Sequence, residues 1–284
     1  MSKFIALVDG SIYSKSVCDH AAWIAARTGS EVEILHVLGR RDVATAQSDL
    51  SGSIALGART AILEELSALD ERRARLSQQR GWAILDDAKA LIEAAGIAGV
   101  TTRLRIGDLV EEVAACEAHA DMVVIGKRGE AADFARLHLG SNLERIVRSA
   151  SKPTFVASRA FKPIERFLIA FDDGASSMKA VDHVARSTLY AGLQCRLVMA
   201  GVETDETSRQ LNNARAILEA GGYDVAGAVV AGQPEKVIAE AVEADGIDLL
   251  VMGAYGHSKI RNLIIGSTTT EMVRSCQVPV VLYR

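Results

Sequence analysis

Residues 247–273, IDLLVMGAYGHSKIRNLIIGSTTTEMV, decide how this chain is read. An apolar run from Ile247 to Met252 stops at Gly253. Gly256 follows after two residues, and nine more lead to Gly266, Ser267 and Thr268. The pattern predicts a buried strand, a glycine-punctuated loop, and a helix that begins at the Gly-Ser-Thr step. Backbone N–H groups and hydroxyls at a helix N-terminus suit a phosphate, and glycines let a backbone approach a ligand closely. Nucleotide binding is therefore the leading expectation. The plainer alternative makes the glycines simple turns and Ser267 or Thr268 a helix cap, with Glu271 completing a capping box to Thr268. Neither a Walker Gly-Lys-Ser/Thr step nor the close-spaced Gly-x-Gly-x-x-Gly of dinucleotide folds is present.

Outward from this stretch, the chain repeats itself. Residues 4–11, FIALVDGS, match 167–174, FLIAFDDG, and 121–129, DMVVIGKRG, match 248–256, DLLVMGAYG. Gly140-Ser141 then matches Gly266-Ser267, and Pro153 matches Pro279. The order is kept throughout, which indicates a tandem duplication rather than a short-period solenoid. We divide the chain into 1–160 and 161–284, with the join near Ser158–Pro163.

Each half alternates short apolar runs with longer helical patterns. The runs are 3–8, 31–38, 100–106, 121–126 and 153–157, then 166–171, 195–200, 225–231, 247–252 and 278–283. They are rich in Ile, Val and Leu without clean polar alternation, as in strands buried on both faces of a parallel sheet. The helical segments are 14–28, 108–118, 176–191 and 234–244. This predicts an α/β chain of two tandem doubly wound domains, each with a five-stranded, mainly parallel sheet. Ligands of such sheets sit beyond the carboxyl ends of the strands at the switch point. Asp9, Asp172, Gly126 and Gly253 fall at those ends.

The halves differ over residues 40–99, a helical insertion in the first. Its segment 54–95 predicts one long helix or two, with Gly81 the only expected break. Ile62, Leu66, Leu69, Arg73 and Leu76 share one helical face, which is expected to meet the core; a partner-binding helix is the sharper reading.

Bulk properties narrow the function. The chain has 284 residues, 49% of them hydrophobic, and a net charge of -4. That charge gives no reason to expect nucleic acid. The N-terminus reads as neither a secretion signal nor a membrane span. Cys18, Cys116, Cys195 and Cys276 form no C-x-x-C pair, so they read as small hydrophobes in a reducing compartment, and a cytoplasmic location is expected. The histidines show no metal-ligand spacing, and His36 is taken as structural. Asp172 and Asp9 each have two readings, a ligand carboxylate or an Asx-turn and helix cap. His257, beside the second glycine, can offset phosphate charge.

An aspartate ending the first strand, then Gly-x-x-Gly, a nine-residue spacer and Gly-Ser/Thr after the fourth strand, resembles the universal stress protein family. Two copies in one chain resemble its tandem members. The resemblance implies the adenine nucleotide alpha hydrolase-like fold and, in nucleotide-binding members, a loop that holds ATP. It implies that Asp172 meets adenine and ribose, and that Met252 and Gly253 line the adenosine and α-phosphate. Gly256, Gly266, Ser267 and Thr268 would hold the phosphates of ATP, ADP or AMP, with a divalent ion such as Mg. An adenine contact would fall close to Ala200. The first half departs from the pattern: ten residues separate Gly129 from Gly140, and Glu130 and Asp133 would repel a triphosphate. Ser141 with Glu144 makes a capping box there. Asp9, Gly126, Gly129, Gly140 and Ser141 are thus a weaker second site. Family members pair through their final strands, so 153–157 and 279–283 are expected to pair within the chain as a pseudo-dimer, with a homodimer left open. The functional expectation is a stress-response protein that binds adenine nucleotide as a regulator or sensor. A slow ATPase on the same site, or a nucleotide-free scaffold acting through the insertion, are the alternatives.

Overall fold

The apolar runs become strands with ends shifted by at most two residues. The computed structural model describes residues 2–39, 56–127, 141–254 and 266–284. The first half contributes β1 (Lys3–Leu7), β2 (Glu31–Leu38), β3 (Val100–Ile106), β4 (Val123–Gly126) and β5 (Thr154–Ala157). The second contributes β6 (Arg166–Phe171), β7 (Gln194–Ala200), β8 (Val225–Val230), β9 (Leu249–Gly253) and β10 (Val280–Tyr283). The helices are α1 (Ile12–Thr28), α2 (Leu56–Ala94), α3 (Leu109–Glu117), α4 (Ser141–Ser149), α5 (Ala175–Arg186), α6 (Asp205–Ala220), α7 (Pro234–Ala244) and α8 (Ser267–Ser275).

Among the described residues, ten strands form one continuous sheet in the order β3-β2-β1-β4-β5-β10-β9-β6-β7-β8. Every neighbouring pair is parallel except β5 and β10, which meet antiparallel with Val156 opposite Val280 and Thr154 opposite Leu282. The two halves thus join edge to edge, and each covers the edge strand the other would expose. Helices α1, α2, α5 and α6 cover one face. The other is covered by α3, α4, α7 and α8. Buried on both sides, the strands need no polar alternation, which is why they read as solid apolar runs.

Polar bonds add to the join on the α1 face. Arg27 donates through Nε to the Leu189 carbonyl at 2.6 Å and through its terminal nitrogen to the Ala191 carbonyl. Within the second half, the buried hydroxyls of Tyr190 and Tyr283 lie 3.1 Å apart. His20 packs its ring against Phe155 and Phe161, with Nδ1 2.7 Å from the Ser16 carbonyl. Burial holds the His20 and His183 imidazoles below their usual 6.5. The unfolded chain therefore binds protons that the folded chain refuses, so stability is full above about pH 6.5 and falls as pH drops below it. Denaturant midpoints measured down through that range should show this acid loss, and His20→Phe, which keeps the ring packing, should reduce it.

The insertion decides between the two helix readings and corrects the expectation for its apolar face. α2 is a single helix that passes Gly81 unbroken. A Cβ there would lie 2.8 Å from Leu104 Cδ1 and 3.2 Å from His36 Cδ2, so the glycine lets the helix lie close on β2 and β3. From this crossing on, Leu85, Ala88 and Ile92 are buried in the core. Before it, the stripe expected to face the core does not: Leu69 and Leu76 are each 56% exposed. The Ile62 side chain lies outside the description. At about 1.5 Å per residue, residues 56–80 make roughly 37 Å of helix before this crossing.

Candidate nucleotide site

The strand order reverses direction between β1 and β4 and again between β6 and β9, so each half has a switch point at its carboxyl edge. In the second half Asp172 follows β6. Its Oδ1 accepts the Gly174 N–H at 2.9 Å and the Ser177 hydroxyl at 2.6 Å. This Asx-turn launches α5, whose cap residue Gly174 supplies no side-chain hydrogen bond. Gly253 ends β9 against the same turn of helix. A Cβ on it would lie 2.9 Å from Ser176 Cβ and 3.0 Å from the Ser177 nitrogen, so only glycine allows this approach. The Gly253 carbonyl accepts the Thr269 hydroxyl at 3.2 Å, and the Ala254 carbonyl accepts the Gly266 N–H at 3.3 Å. Asp172, Ser177, Gly253, Thr269 and Gly266 are therefore linked by direct contacts around one edge, with the first turns of α5 and α8 both opening there.

One cap assignment changes. Gly266, not Ser267 or Thr268, is the cap residue of α8, and it makes no side-chain cap bond. Thr268 lies inside the first turn, and Glu271 pairs with Arg274 at 2.5 Å instead of completing a capping box. In the first half Glu144 pairs with Arg148 at 2.6 Å, and the side chain of the expected Ser141 cap lies outside the described residues. Ser267 is exposed and Thr268 half-buried at the edge. Met252 is 5% exposed and packs into the core under α7 and α8, so only its backbone can meet a ligand. Ala200 ends β7. Gly256, His257, Gly129 and Gly140 lie outside the described residues, as does the Ser141 side chain.

The first half builds the same turn differently. Asp9 Oδ1 accepts the Ser11 N–H at 3.0 Å and the Ser14 hydroxyl at 3.3 Å. Here the helix is capped: the Ser11 hydroxyl accepts the Tyr13 N–H. Ile84 of α2 also packs against one side of the turn, so close that a Cβ on Gly10 would sit 2.7 Å from its Cδ1, while Gly10 itself stays exposed. Lys127, next to Gly126, donates to the Cys276 carbonyl at the end of α8. Ser14 and Ser177 were not singled out in the sequence, yet each follows its aspartate by five residues, a repeat that was there to be read.

Gly10 has φ +77°, and its counterpart Asp173 is the only non-glycine with positive φ among the described residues, at +59°. The left-handed region costs a side-chain-bearing residue about 1–2 kcal/mol. Asp173→Gly is expected to stabilise the chain by about 1 kcal/mol, read as a raised denaturant midpoint with unchanged slope.

Among the described residues, no group of three His, Cys, Asp or Glu side chains is placed to hold a metal ion. None of their helices is long and apolar enough to cross a membrane. Cys18 and Cys195 are buried, which pushes both thiols up to about 12 and keeps them from acting as nucleophiles.

The model of the universal stress protein family matches residues 1–158 and 197–284. The chain belongs to this family. The unmatched stretch between the two segments holds β6 and α5, and with them Asp172 and Ser177. A universal stress protein of Synechocystis sp. is 36% identical over 287 aligned positions that span 100% of both chains, so the tandem arrangement is shared along the whole length. A universal stress protein from Archaeoglobus fulgidus superposes with a TM-score of 0.69 at 20% identity, covering 99% of this chain and 98% of its own. A Pseudomonas aeruginosa chain gives 0.63 at 14% identity, covering 100% of this chain and 93% of its own. These likenesses show the fold, the adenine nucleotide alpha hydrolase-like α/β arrangement. Within that family fold, the start of α5, which has no side-chain cap, differs from the Ser11-capped start of α1.

Proposed function

We propose that this universal stress protein binds an adenine nucleotide, ATP or its di- or monophosphate, at the carboxyl edge of the second half, and acts as a cytoplasmic regulator or sensor. The observation that carries the reading is the chain of contacts from Asp172 through Ser177 and Gly253 to Thr269 and Gly266. It gathers at one switch point the first turns of two helices that no cap side chain closes. Phosphate oxygens accept N–H bonds in such a place and interact favourably with the helix dipoles. Ser267 and Thr268 add hydroxyl donors, and Asp172 supplies the acceptor for ribose or adenine. A magnesium ion would be held mainly by the phosphates, in keeping with the few ligands this ion takes from protein.

The reading is asymmetric. In the first half the Ser11 cap, the Ile84 contact and the tie from Lys127 to α8 all use the corresponding edge for structure. The domain division at residue 160 follows the same logic, with the first unit bracing the second across β5 and β10. Equilibrium dialysis of the intact chain against ATP tests the proposal. Binding that is lost in Gly266→Val supports it, and no binding, or binding that Gly266→Val leaves unchanged, overturns it.

A further inference from the structure

The projecting part of α2 has no role in the nucleotide reading, and its residues have an order of their own. Four of the eight large hydrophobic side chains that are exposed among the described residues lie on this helix: Leu69, Leu76, Trp82 and Leu91. Leu66, Leu69, Arg73 and Leu76 follow one another at steps of three, four and three, the spacing of a coiled-coil seam with one polar position. Leu69 and Leu76 are each 56% exposed on this face, and a helix with leucines in water gains from a partner that covers them.

The charges say which partner. Residues 64–71 carry Glu64, Glu65, Asp70 and Glu71 and no basic residue, while 72–79 carry Arg72, Arg73 and Arg75 and no acidic one. The outer part of the described arm is acidic and the part nearer the body is basic. A partner of one sign, acidic or basic, would satisfy half of this arm and be repelled by the other half. A second copy lying parallel would put like charge on like. A second copy lying antiparallel puts the acidic stretch of each arm over the basic stretch of the other, twice over.

We propose that the arm is a self-association surface, in which residues 64–80 pair antiparallel with the same segment of a second copy of this chain. Leu66, Leu69 and Leu76 form the seam, and the segregated charges set its direction. Arg73 within the seam lowers its stability and helps to fix its register. A two-helix seam is small beside a standard interface, so the dimer forms and dissociates with concentration and weakens as salt rises.

Sedimentation of the full chain over a wide concentration range tests this, with circular dichroism and thermal unfolding to confirm that the sheet stays folded. The wild type is expected to dimerise, and Leu69→Lys with Leu76→Lys to be monomeric. Reversing only the basic cluster (Arg72→Glu, Arg73→Glu, Arg75→Glu) should weaken association by more than about tenfold, since like charges brought together repel strongly. Adding Glu64→Arg, Glu65→Arg and Glu71→Arg to that variant should recover the dimer, because the two ends have then exchanged sign. A wild type that stays monomeric overturns the proposal, as it would if the arm were covered by another segment of its own chain or by an unrelated partner. A dimer that survives the lysine substitutions, or a double reversal that does not recover association, also overturns it.

Discussion

Gly253→Val is expected to lower nucleotide affinity by well over tenfold while the chain still folds. The closest atoms to an added Cβ are Ser176 Cβ at 2.9 Å and the Ser177 backbone nitrogen at 3.0 Å. A backbone atom cannot rotate away, so the end of β9 must move off the start of α5. Four parts of the site move with it: the Asp172 turn through Ser177, the Gly253 carbonyl that holds Thr269, the Ala254 carbonyl that holds Gly266, and the first turn of α8. Overpacking of this kind costs about 1–3 kcal/mol of stability, and each further 1.4 kcal/mol lost from binding is another factor of about ten. Calorimetric titration with ATP, beside thermal unfolding without ligand, separates the two effects. A folded Gly253→Val chain that binds like the wild type would show that the site lies elsewhere.

The largest stability loss is expected from Phe167→Ala. Phe167 is fully buried in β6, with its ring 5.2 Å from Tyr190 and 5.8 Å from Tyr223. Its removal leaves a cavity beneath the paired hydroxyls of Tyr190 and Tyr283, and such truncations cost about 3–5 kcal/mol. That is a large share of a typical domain's stability. Because the ten strands form one sheet, the loss should appear as one earlier unfolding transition of the whole chain. An unchanged first half melting separately from a weakened second half would argue against the continuous sheet.

Much of this was legible in the sequence. Runs such as 121–126 and 247–252 could only be strands buried on both faces, and the matched order of FIALVDGS with FLIAFDDG located both switch points. The misses have physical causes. Helical spacing shows that Leu66, Leu69 and Leu76 share a face, but not that Leu69 and Leu76 on it stay more than half exposed. His36 is structural as read, but the partner that makes it so was not visible: its Nδ1 lies 2.7 Å from the Val8 carbonyl, one residue beyond β1. That bond depends on strand order. The Thr268–Glu271 capping box failed because α8 begins two residues early, at Ser267, and Glu271 turns to Arg274 instead. For Asp172 and Asp9 both readings concern one residue: Oδ1 makes the Asx-turn, and the turn is what positions the carboxylate at the edge.

The difference between the halves was partly visible as acidic residues in the first loop. Its structural causes were not: the Ser11 cap is a local bond, but Ile84 reaches Gly10 from an inserted helix more than seventy residues away in the chain.

The most direct test of the account is the stoichiometry of ATP bound to the intact chain in equilibrium dialysis, repeated with Asp172→Ala and with Asp9→Ala. The account predicts one nucleotide per chain, lost in Asp172→Ala and retained in Asp9→Ala. Two nucleotides per chain, none, or binding that follows Asp9 rather than Asp172 would contradict it.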